Sequence, residues 1–180
     1  MLADTNQPVA ITGKSRSVGV QGMGGIGKTV LATALARDEE VRSAFPDGVL
    51  WVTLGQTPQP LTWQSYFAEA LGDTQATFTE EGLGKARLQE LLADKACLLI
   101  LDDVWDLKHA KAFDALGQSC QMLITTRDAG LIVSLGAQTQ ELSVLSDGEA
   151  LSLLAQQAGY EERGRGEGGE GGEFICVFIA

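Results

Sequence analysis

The chain has 180 residues, of which 44% are apolar and 21% are charged, and its formal net charge is −11. This length suits one α/β domain, or one domain with a fragment of a second, and the composition excludes wholesale disorder. The negative charge excludes attraction of nucleic acid or of an anionic membrane surface by the overall field, so an anionic ligand must be held by local groups.

The cysteines and the hydropathy pattern bear on the cellular compartment. Cys97, Cys120 and Cys176 match no metal-ligand or redox spacing, and we interpret them as structural thiols of a reducing compartment. The N-terminus has no basic patch followed by an apolar run, and no segment approaches the roughly 20 apolar residues of a membrane helix. We therefore predict a cytoplasmic protein that binds neither membranes nor, directly, nucleic acid.

Short apolar runs alternate with longer segments of helical period, which predicts a parallel sheet covered by helices. The predicted strands are Ser17–Gln21, Gly48–Leu54, Ala96–Leu101, Gln121–Thr125 and Thr139–Val144. The predicted helices are Lys28–Arg37, Leu61–Leu71, Thr79–Ala93 and Asp106–Leu116. The nearly continuous apolar run Ala96–Leu101 is typical of a central strand that is buried on both faces.

The C-terminal part has a different composition. Ser146–Glu149 has the S-x-x-E form of a capping box, which predicts a new helix that stops near Gly159. Between Glu161 and Glu173 only Glu, Arg and Gly occur, and such a segment cannot build a core. We predict an N-terminal arm at 1–16, the main domain at 17–145, an incomplete helical subdomain at 146–160 and a disordered, Glu/Gly-rich tail with a short apolar end at 161–180.

Residues Gly22–Thr29 fit the phosphate-binding loop pattern G-x-x-x-x-G-K-[ST] between a predicted strand and a predicted helix. Glycines let successive backbone N–H groups turn toward an anion, and the helix N-terminus adds its positive dipole end. Lys28 is expected to reach the β- and γ-phosphates, and the Thr29 hydroxyl to ligate Mg²⁺. The predicted nucleotide-contacting residues are Gly22, Met23, Gly24, Gly25, Ile26, Gly27, Lys28, Thr29 and Val30.

The same glycines also allow a different interpretation. Gly22, Gly24 and Gly27 satisfy G-x-G-x-x-G, the pattern of dinucleotide-binding domains. That pattern requires an acidic residue about 20 residues further on, at the end of the second strand, to hold the ribose. The second predicted strand ends without a carboxylate, at Val52–Gly55. The mononucleotide loop is therefore favoured.

Two carboxylates, Asp102 and Asp103, follow the four aliphatic residues Leu98–Leu101. Acidic side chains at the exit of a buried strand need partners, because a desolvated charge is costly. Mg²⁺ beside the phosphates is such a partner, and we predict that Asp102 binds it, either directly or through a water ligand of the ion. Asp103 is predicted to orient or deprotonate the attacking water. The alternative is that one of the pair, chiefly Asp103, caps the following helix.

An arginine follows the next predicted strand, in Thr125-Thr126-Arg127. At this edge of the sheet its guanidinium is expected to sense the γ-phosphate through a bidentate contact, which makes Arg127 a second catalytic residue besides Asp103. The alternative is a surface salt bridge with Asp128, which would be worth little. Trp105 is interpreted as packing beside the sheet rather than binding nucleotide.

These elements, in this order, resemble the NB-ARC nucleotide-binding domain found in plant disease-resistance proteins, apoptotic protease activating factors and bacterial STAND regulators. The resemblance covers roughly Ser17 to Gly159. The segments that carry it are Val18–Ala32, with the glycine-rich loop, Leu98–Trp105, with Asp-Asp-Val-Trp, Ile124–Asp128, with Thr-Thr-Arg, and Leu142–Leu154.

The resemblance implies a three-layer P-loop NTPase fold, in which a five-stranded, mainly parallel sheet lies between helices and one strand separates the phosphate-binding strand from the carboxylate strand. It also implies a switch that is off with ADP and on with ATP, and that is reset by slow Mg²⁺-dependent hydrolysis. In its active state the switch would form a homo- or hetero-oligomer with related NB-ARC proteins. Lys28, Thr29, Asp102, Asp103 and Arg127 occupy the matching positions.

Two departures from the family leave a second function open. The Gly-Leu-Pro-Leu-like turn near the base and the later His-containing motif that clamps ADP are both missing after Tyr160. The alternative is therefore a truncated fragment with a vestigial nucleotide site that acts as an interaction module for larger relatives. A metabolic P-loop kinase is disfavoured, because neither lid arginines nor an acceptor pocket can be recognised.

Overall fold

The computed structural model describes residues 16–146 together with Gly148 and Leu151. It divides into a unit that ends at Ser143 and a second unit from Val144 onward. The strands of the first unit are β1 (Ser17–Gln21), β2 (Gly48–Gly55), β3 (Cys97–Val104), β4 (Gln121–Thr126) and β5 (Gln138–Glu141). Its helices are α1 (Lys28–Arg37), α2 (Glu39–Ala44), α3 (Pro60–Ala70), α4 (Glu81–Leu92), α5 (Leu107–Lys111) and α6 (Ala129–Ser134).

The five strands form one sheet in the order β2-β3-β4-β1-β5, and all neighbouring strands are parallel. The predicted parallel sheet with flanking helices is thus confirmed. Strand β4 separates β1 from β3, as the resemblance implied. Because the carboxyl ends of parallel strands meet at one edge, the loop after β1, the carboxylates of β3 and the arginine after β4 all lie at that edge.

Strand β3 is buried on both faces of the sheet, as its apolar sequence predicts. Successive side chains of a strand point to opposite faces. Leu99 and Leu101 therefore belong to one hydrophobic cluster, with Phe67 of α3 and Leu88 of α4. Leu98 and Ile100 belong to another, which includes Ala32 of α1 and Phe45 after α2. The two clusters hold helices against both faces, which completes the three layers.

Several element bounds differ from the sequence-based prediction. Strand β3 continues through the two carboxylates to Val104 instead of ending at Leu101. The helix predicted over Asp106–Leu116 ends at Lys111, beyond which Phe113 and Ala115 are buried in the core. Helices α2 and α6 were not predicted, because six residues are too few for a helical period to be recognised. Strand β5 is polar and exposed and ends at Glu141, so the prediction Thr139–Val144 extended too far.

Two of the three cysteines lie in the described part of the chain. Cys97 and Cys120 are free and fully buried. Burial raises the pKa of the Cys97 thiol to about 11, which suppresses the reactive thiolate. The burial of both side chains is typical of structural cysteines.

Some predictions fall on the C-terminal and N-terminal segments. In the second unit Gly148 and Leu151 are helical, at positions where the capping box predicts a helix. The rest of that helix, Cys176, the tail at 161–180 and the arm up to residue 15 lie outside the described residues. Within the described ranges, no helix has both the length and the apolar character needed to cross a membrane.

Candidate functional site

The glycine-rich loop joins the end of β1 directly to the start of α1. Gly25 and Gly27 have φ angles of 80° and 101°, in the left-handed region that residues with a Cβ rarely adopt. Gly27 is also the N-cap of α1, so the loop leads straight into the first helical turn. The loop therefore has the glycine-dependent backbone that an anion-binding nest requires, and it lies at the N-terminus of a helix that is ten residues long.

Lys28 closes this loop on itself. Its Nζ donates to the carbonyl oxygens of Gly22, at 2.9 Å, and Met23, at 2.8 Å. The side chain is buried, and this burial lowers the pKa of Lys28, as does the positive charge of Arg127; the two carboxylates oppose this. A carbonyl is a neutral partner for an ammonium, so a phosphate oxygen would be a stronger acceptor for Lys28 than either of its present ones.

Asp102 is the most buried carboxylate of the site, with 2% of its surface exposed. Its carboxylate accepts hydrogen bonds from three threonine hydroxyls. Thr29 of α1 lies 2.9 and 3.1 Å from its two oxygens, Thr125 of β4 lies 2.6 Å from Oδ1, and Thr53 of β2 lies 3.4 Å from Oδ2. Four elements of the fold thus meet at one carboxylate.

The oxygen atoms of Asp102 and of the hydroxyl groups around it are suitable ligands for Mg²⁺. Carboxylate and hydroxyl oxygens are the protein ligands that this ion prefers, and it takes one or two of them together with phosphate oxygens and water. Thr29 and Asp102, the two predicted ligands, are already in contact. No cluster of three or more His, Cys, Asp or Glu side chains suited to a metal occurs in the described ranges, so an all-protein cage is not formed there.

Asp103 adopts an unusual backbone conformation. Its φ angle is 51°, which makes it the one non-glycine residue with positive φ in the part of the chain that is described. Its N–H donates to Thr125 Oγ1 at 2.9 Å, and its side chain is half-buried. The alternative that Asp103 caps the next helix is wrong, because Asp106 is the N-cap of α5 and accepts from the N–H of Lys108.

Arg127 lies between Trp105 and the glycine-rich loop. Its guanidinium carbon is 5.0 Å from the centre of the Trp105 ring, within the range of a cation–π contact. A Cβ added at Gly24 would lie 2.8 Å from Arg127 Nη1, so the arginine packs against the loop backbone. Asp128 does not pair with it but caps α6 through the N–H of Gly130. Trp105 is 43% exposed, and the contact identified for its ring is with Arg127.

Replacement of Gly24 by alanine tests the packing of Arg127 on the loop. The new methyl group would displace the flexible guanidinium rather than backbone, so we expect the free energy of unfolding to change by less than about 0.5 kcal/mol. ATP affinity should fall about three- to tenfold more than ADP affinity in calorimetry, because Arg127 is assigned to the γ-phosphate. Gly82→Ala, a helical site with open space around it, is the control. Equal losses for both nucleotides would contradict this assignment of Arg127.

The structure brings together most of the side chains that the sequence singled out, and it adds Thr53 and Thr125. Lys28, Thr29, Asp102 and Arg127 lie within the chain of contacts described above. Met23 and Val30 are exposed beside them, with 72% and 66% of their surfaces accessible, and Ile26 is half-buried.

Sequence reasoning missed the roles of Thr53 and Thr125, which both donate to Asp102. The sequence held a signal for one of the two. Thr125 is part of Thr-Thr-Arg, which the sequence had singled out. Thr53 carries no such motif, and it is placed opposite Asp102 only by the register of β2 with β3.

Comparison with known families agrees with this site. The family model described as the NB-ARC domain matches residues 8–164. The chain belongs to the NB-ARC domain family. NB-ARC domains are P-loop domains that bind ADP or ATP, so the resemblance, the fold and the nucleotide-binding class predicted from the sequence are confirmed at the level of the family.

Individual relatives of this NB-ARC chain come from animals, bacteria and plants. Apoptotic protease-activating factor 1 of Danio rerio is 34% identical over 152 residues, which are 77% of this chain and 12% of the relative. Regulatory protein AfsR of Streptomyces coelicolor is 33% identical over 145 residues, which are 78% of this chain and 14% of the relative. A putative disease resistance protein of Arabidopsis thaliana is 43% identical over 91 residues, which are 51% of this chain and 14% of the relative. The chain thus spans 12 to 14% of the length of these relatives.

Proposed function

We propose that this NB-ARC chain is the adenine-nucleotide-binding module of a signalling switch, which takes different states with ADP and with ATP. The observation that carries the proposal is the contact of Thr29, next to the loop lysine, with Asp102 at 2.9 Å. This contact joins the first turn of α1, which follows the phosphate loop, to the carboxylate near the end of β3. It is what a site for a nucleotide phosphate with its metal ion requires.

Each polar group of the site has a separate task in this proposal. Lys28 and the loop N–H groups hold the β-phosphate, which ADP and ATP share, and Thr29 and Asp102 would hold Mg²⁺. When bound, the ion neutralises phosphate charge. Asp103, held at the half-buried edge of the site, orients or deprotonates the attacking water in slow hydrolysis.

Arg127 is the group that we assign to the difference between ADP and ATP. Its guanidinium rests on an aromatic ring and on the loop, and it makes no ion pair with any residue of the described ranges. Its five N–H donors therefore remain available for a γ-phosphate, to which a guanidinium binds in a bidentate manner. Movement of Arg127 away from Trp105 would report the γ-phosphate to the rest of the domain.

The relatives support a role in signalling rather than in metabolism. Their names refer to activation of apoptotic proteases, to regulation and to disease resistance. We propose that this chain acts in the cytoplasm, and that its ATP state assembles with copies of itself or with related NB-ARC proteins. The buried free thiols Cys97 and Cys120 support a reducing compartment.

Calorimetry with ADP and ATP, each with Mg²⁺ and with a chelator, tests this function. We expect both nucleotides to bind, and ATP to depend more strongly on Mg²⁺. Asp102→Asn should reduce the Mg²⁺-dependent affinity for ATP about tenfold, because an amide cannot neutralise the ion. Asp106→Asn, at an exposed N-cap where asparagine serves equally well, is the matched control. If the unmodified chain binds neither nucleotide, the switch is excluded and a vestigial site in an interaction module is favoured.

A further inference from the structure

The two carboxylates of β3 lie at an irregularity of the sheet. The ladder between β3 and β4 pairs Leu101 with Ile124, and its next pair is Val104 with Thr126. Three steps along β3 therefore correspond to two along β4, which is the form of a β-bulge. Asp102 and Asp103 are the residues between these pairs. A bulge bends its strand and re-aims side chains, and bulges are common beside active sites.

The hydroxyl of Thr125 occupies the gap that this bulge leaves in the ladder. Its Oγ1 accepts from the N–H of Asp103 at 2.9 Å and donates to Asp102 Oδ1 at 2.6 Å. A hydroxyl has one proton, so its donation to Asp102 leaves a lone pair for Asp103. One side chain thus joins the backbone of one carboxylate residue to the side chain of the other.

Thr125 is itself held firmly. It is 1% exposed, and its backbone pairs with Val20 in the intact ladder between β4 and β1. A β-branched side chain has few rotamers, so the position of its hydroxyl follows from that of its backbone. The short bond to Asp102 is of the charge-assisted kind, which is stronger than a bond between neutral groups.

Asp103 depends on this contact more than an ordinary strand residue would. An L-residue with positive φ adopts a disfavoured backbone conformation, so surrounding contacts must maintain it. The bond from its N–H to Thr125 is the contact identified for its backbone at this point. Loss of the hydroxyl would leave that N–H without its acceptor.

Thr126 provides an internal comparison, because it is equally buried but contacts neither carboxylate. Its Oγ1 donates to the carbonyl oxygen of Val104 at 2.7 Å and accepts from the N–H of Asp128 at 3.1 Å. It closes the end of the bulge where regular pairing resumes. Thr126 therefore supports the bulge without contacting the carboxylates, whereas Thr125 contacts both carboxylate residues. Variants of the two threonines can distinguish these roles.

We propose that Thr125 is a positioning residue, which sets the geometry of Asp102 toward the Mg²⁺ site and that of Asp103 toward the attacking water. The assignment of these two tasks rests on the proposed function, whereas the geometry itself does not. Arg127 follows Thr125 by two residues on the same strand end, so one short segment carries both the support of the carboxylates and the γ-phosphate contact.

Amide hydrogen exchange without nucleotide tests the geometric part. In Thr125→Val, which keeps the shape and removes the hydroxyl, the Asp103 amide should exchange at least about tenfold faster than in the unmodified chain. Thr125→Ser, which restores the hydroxyl, should return exchange to within about threefold, and Thr126→Val should leave the Asp103 amide protected. Unchanged protection of Asp103 in Thr125→Val would overturn the proposal, whatever the chain binds.

Calorimetry tests the functional part with the same three variants. Thr125→Val should lose about tenfold in the ratio of ATP affinity with Mg²⁺ to that with chelator, and Thr125→Ser should keep this ratio within about threefold. Thr126→Val should keep this ratio, although the variant is less stable than the unmodified chain. An equal loss in Thr126→Val would overturn a specific role of Thr125. Absence of nucleotide binding by the unmodified chain would instead refute the proposed function. Hydrogen exchange would still test whether Thr125 holds the Asp103 backbone.

Discussion

Replacement of Lys28 by alanine is expected to weaken the binding of both ADP and ATP at least about 100-fold, with a small effect on folding. The ammonium group is buried in the loop and has two backbone carbonyl partners, so it is already desolvated where the phosphates would bind. An ammonium group that has lost its water binds a charged phosphate oxygen more strongly than a neutral carbonyl oxygen. The carbonyls of Gly22 and Met23 belong to half-buried and exposed residues, and water can satisfy them in the variant.

Calorimetry measures this effect, and urea unfolding followed by circular dichroism measures the stability of the same samples. Lys108→Ala is a suitable control, because Lys108 is an exposed lysine on α5 whose side chain has no bonding partner among the contacts of the described residues. It removes the same charge from the chain without touching the loop. Binding by Lys28→Ala within about threefold of the unmodified chain would contradict the assignment of the loop.

Replacement of Phe113 by alanine is expected to lower the free energy of unfolding by about 3–5 kcal/mol. Its ring is fully buried and packs edge to face on Phe67 of α3, with 5.7 Å between the ring centres. The substitution leaves a large cavity beneath β3 and also removes the aromatic pair. At roughly 2–4 °C per kcal/mol for a domain of this size, the melting temperature should fall by about 10 °C.

The Phe113 variant separates stability from site chemistry. Phe113 belongs to a hydrophobic cluster that contains no residue of the phosphate loop, so nucleotide affinity measured well below the melting temperature should stay within about twofold of the original. Leu83→Ala, at a side chain of α4 that is 58% exposed, should cost less than about 1 kcal/mol and serves as the control. A loss below about 1 kcal/mol in Phe113→Ala would show that the hydrophobic cluster is packed differently.

Much of the fold could be predicted because its information is local. The glycine-rich loop needs consecutive residues with special backbone freedom, so Gly22–Thr29 can be recognised as a string. The apolar run in β3 could be assigned to a central strand, because a parallel strand covered on both faces has no polar alternation. Helices α2 and α6 each begin at an Asp N-cap, but six residues are too few for a helical period to be recognised.

The candidate site was predictable in its residue types and less so in its geometry. Lys28, Asp102 and Arg127 could be selected because strand ends in a parallel sheet share one edge. Their contacts depend on the order and the register of strands that are distant in sequence. Thr53 reaches Asp102 across 49 residues and Thr125 across 23, and a shift of one position in either ladder would turn these side chains to the opposite face.

The sequence by itself determined the family, the parallel α/β sheet and the phosphate loop, because each depends on short patterns of residue type. Tertiary structure alone decided how the site is assembled. It extended β3 through both carboxylates, placed Asp103 with its positive φ in a bulge, and placed Arg127 between Trp105 and Gly24. These features are set by strand register and side-chain packing to within fractions of an ångström, and hydrogen bonds of about 3 Å depend on that accuracy.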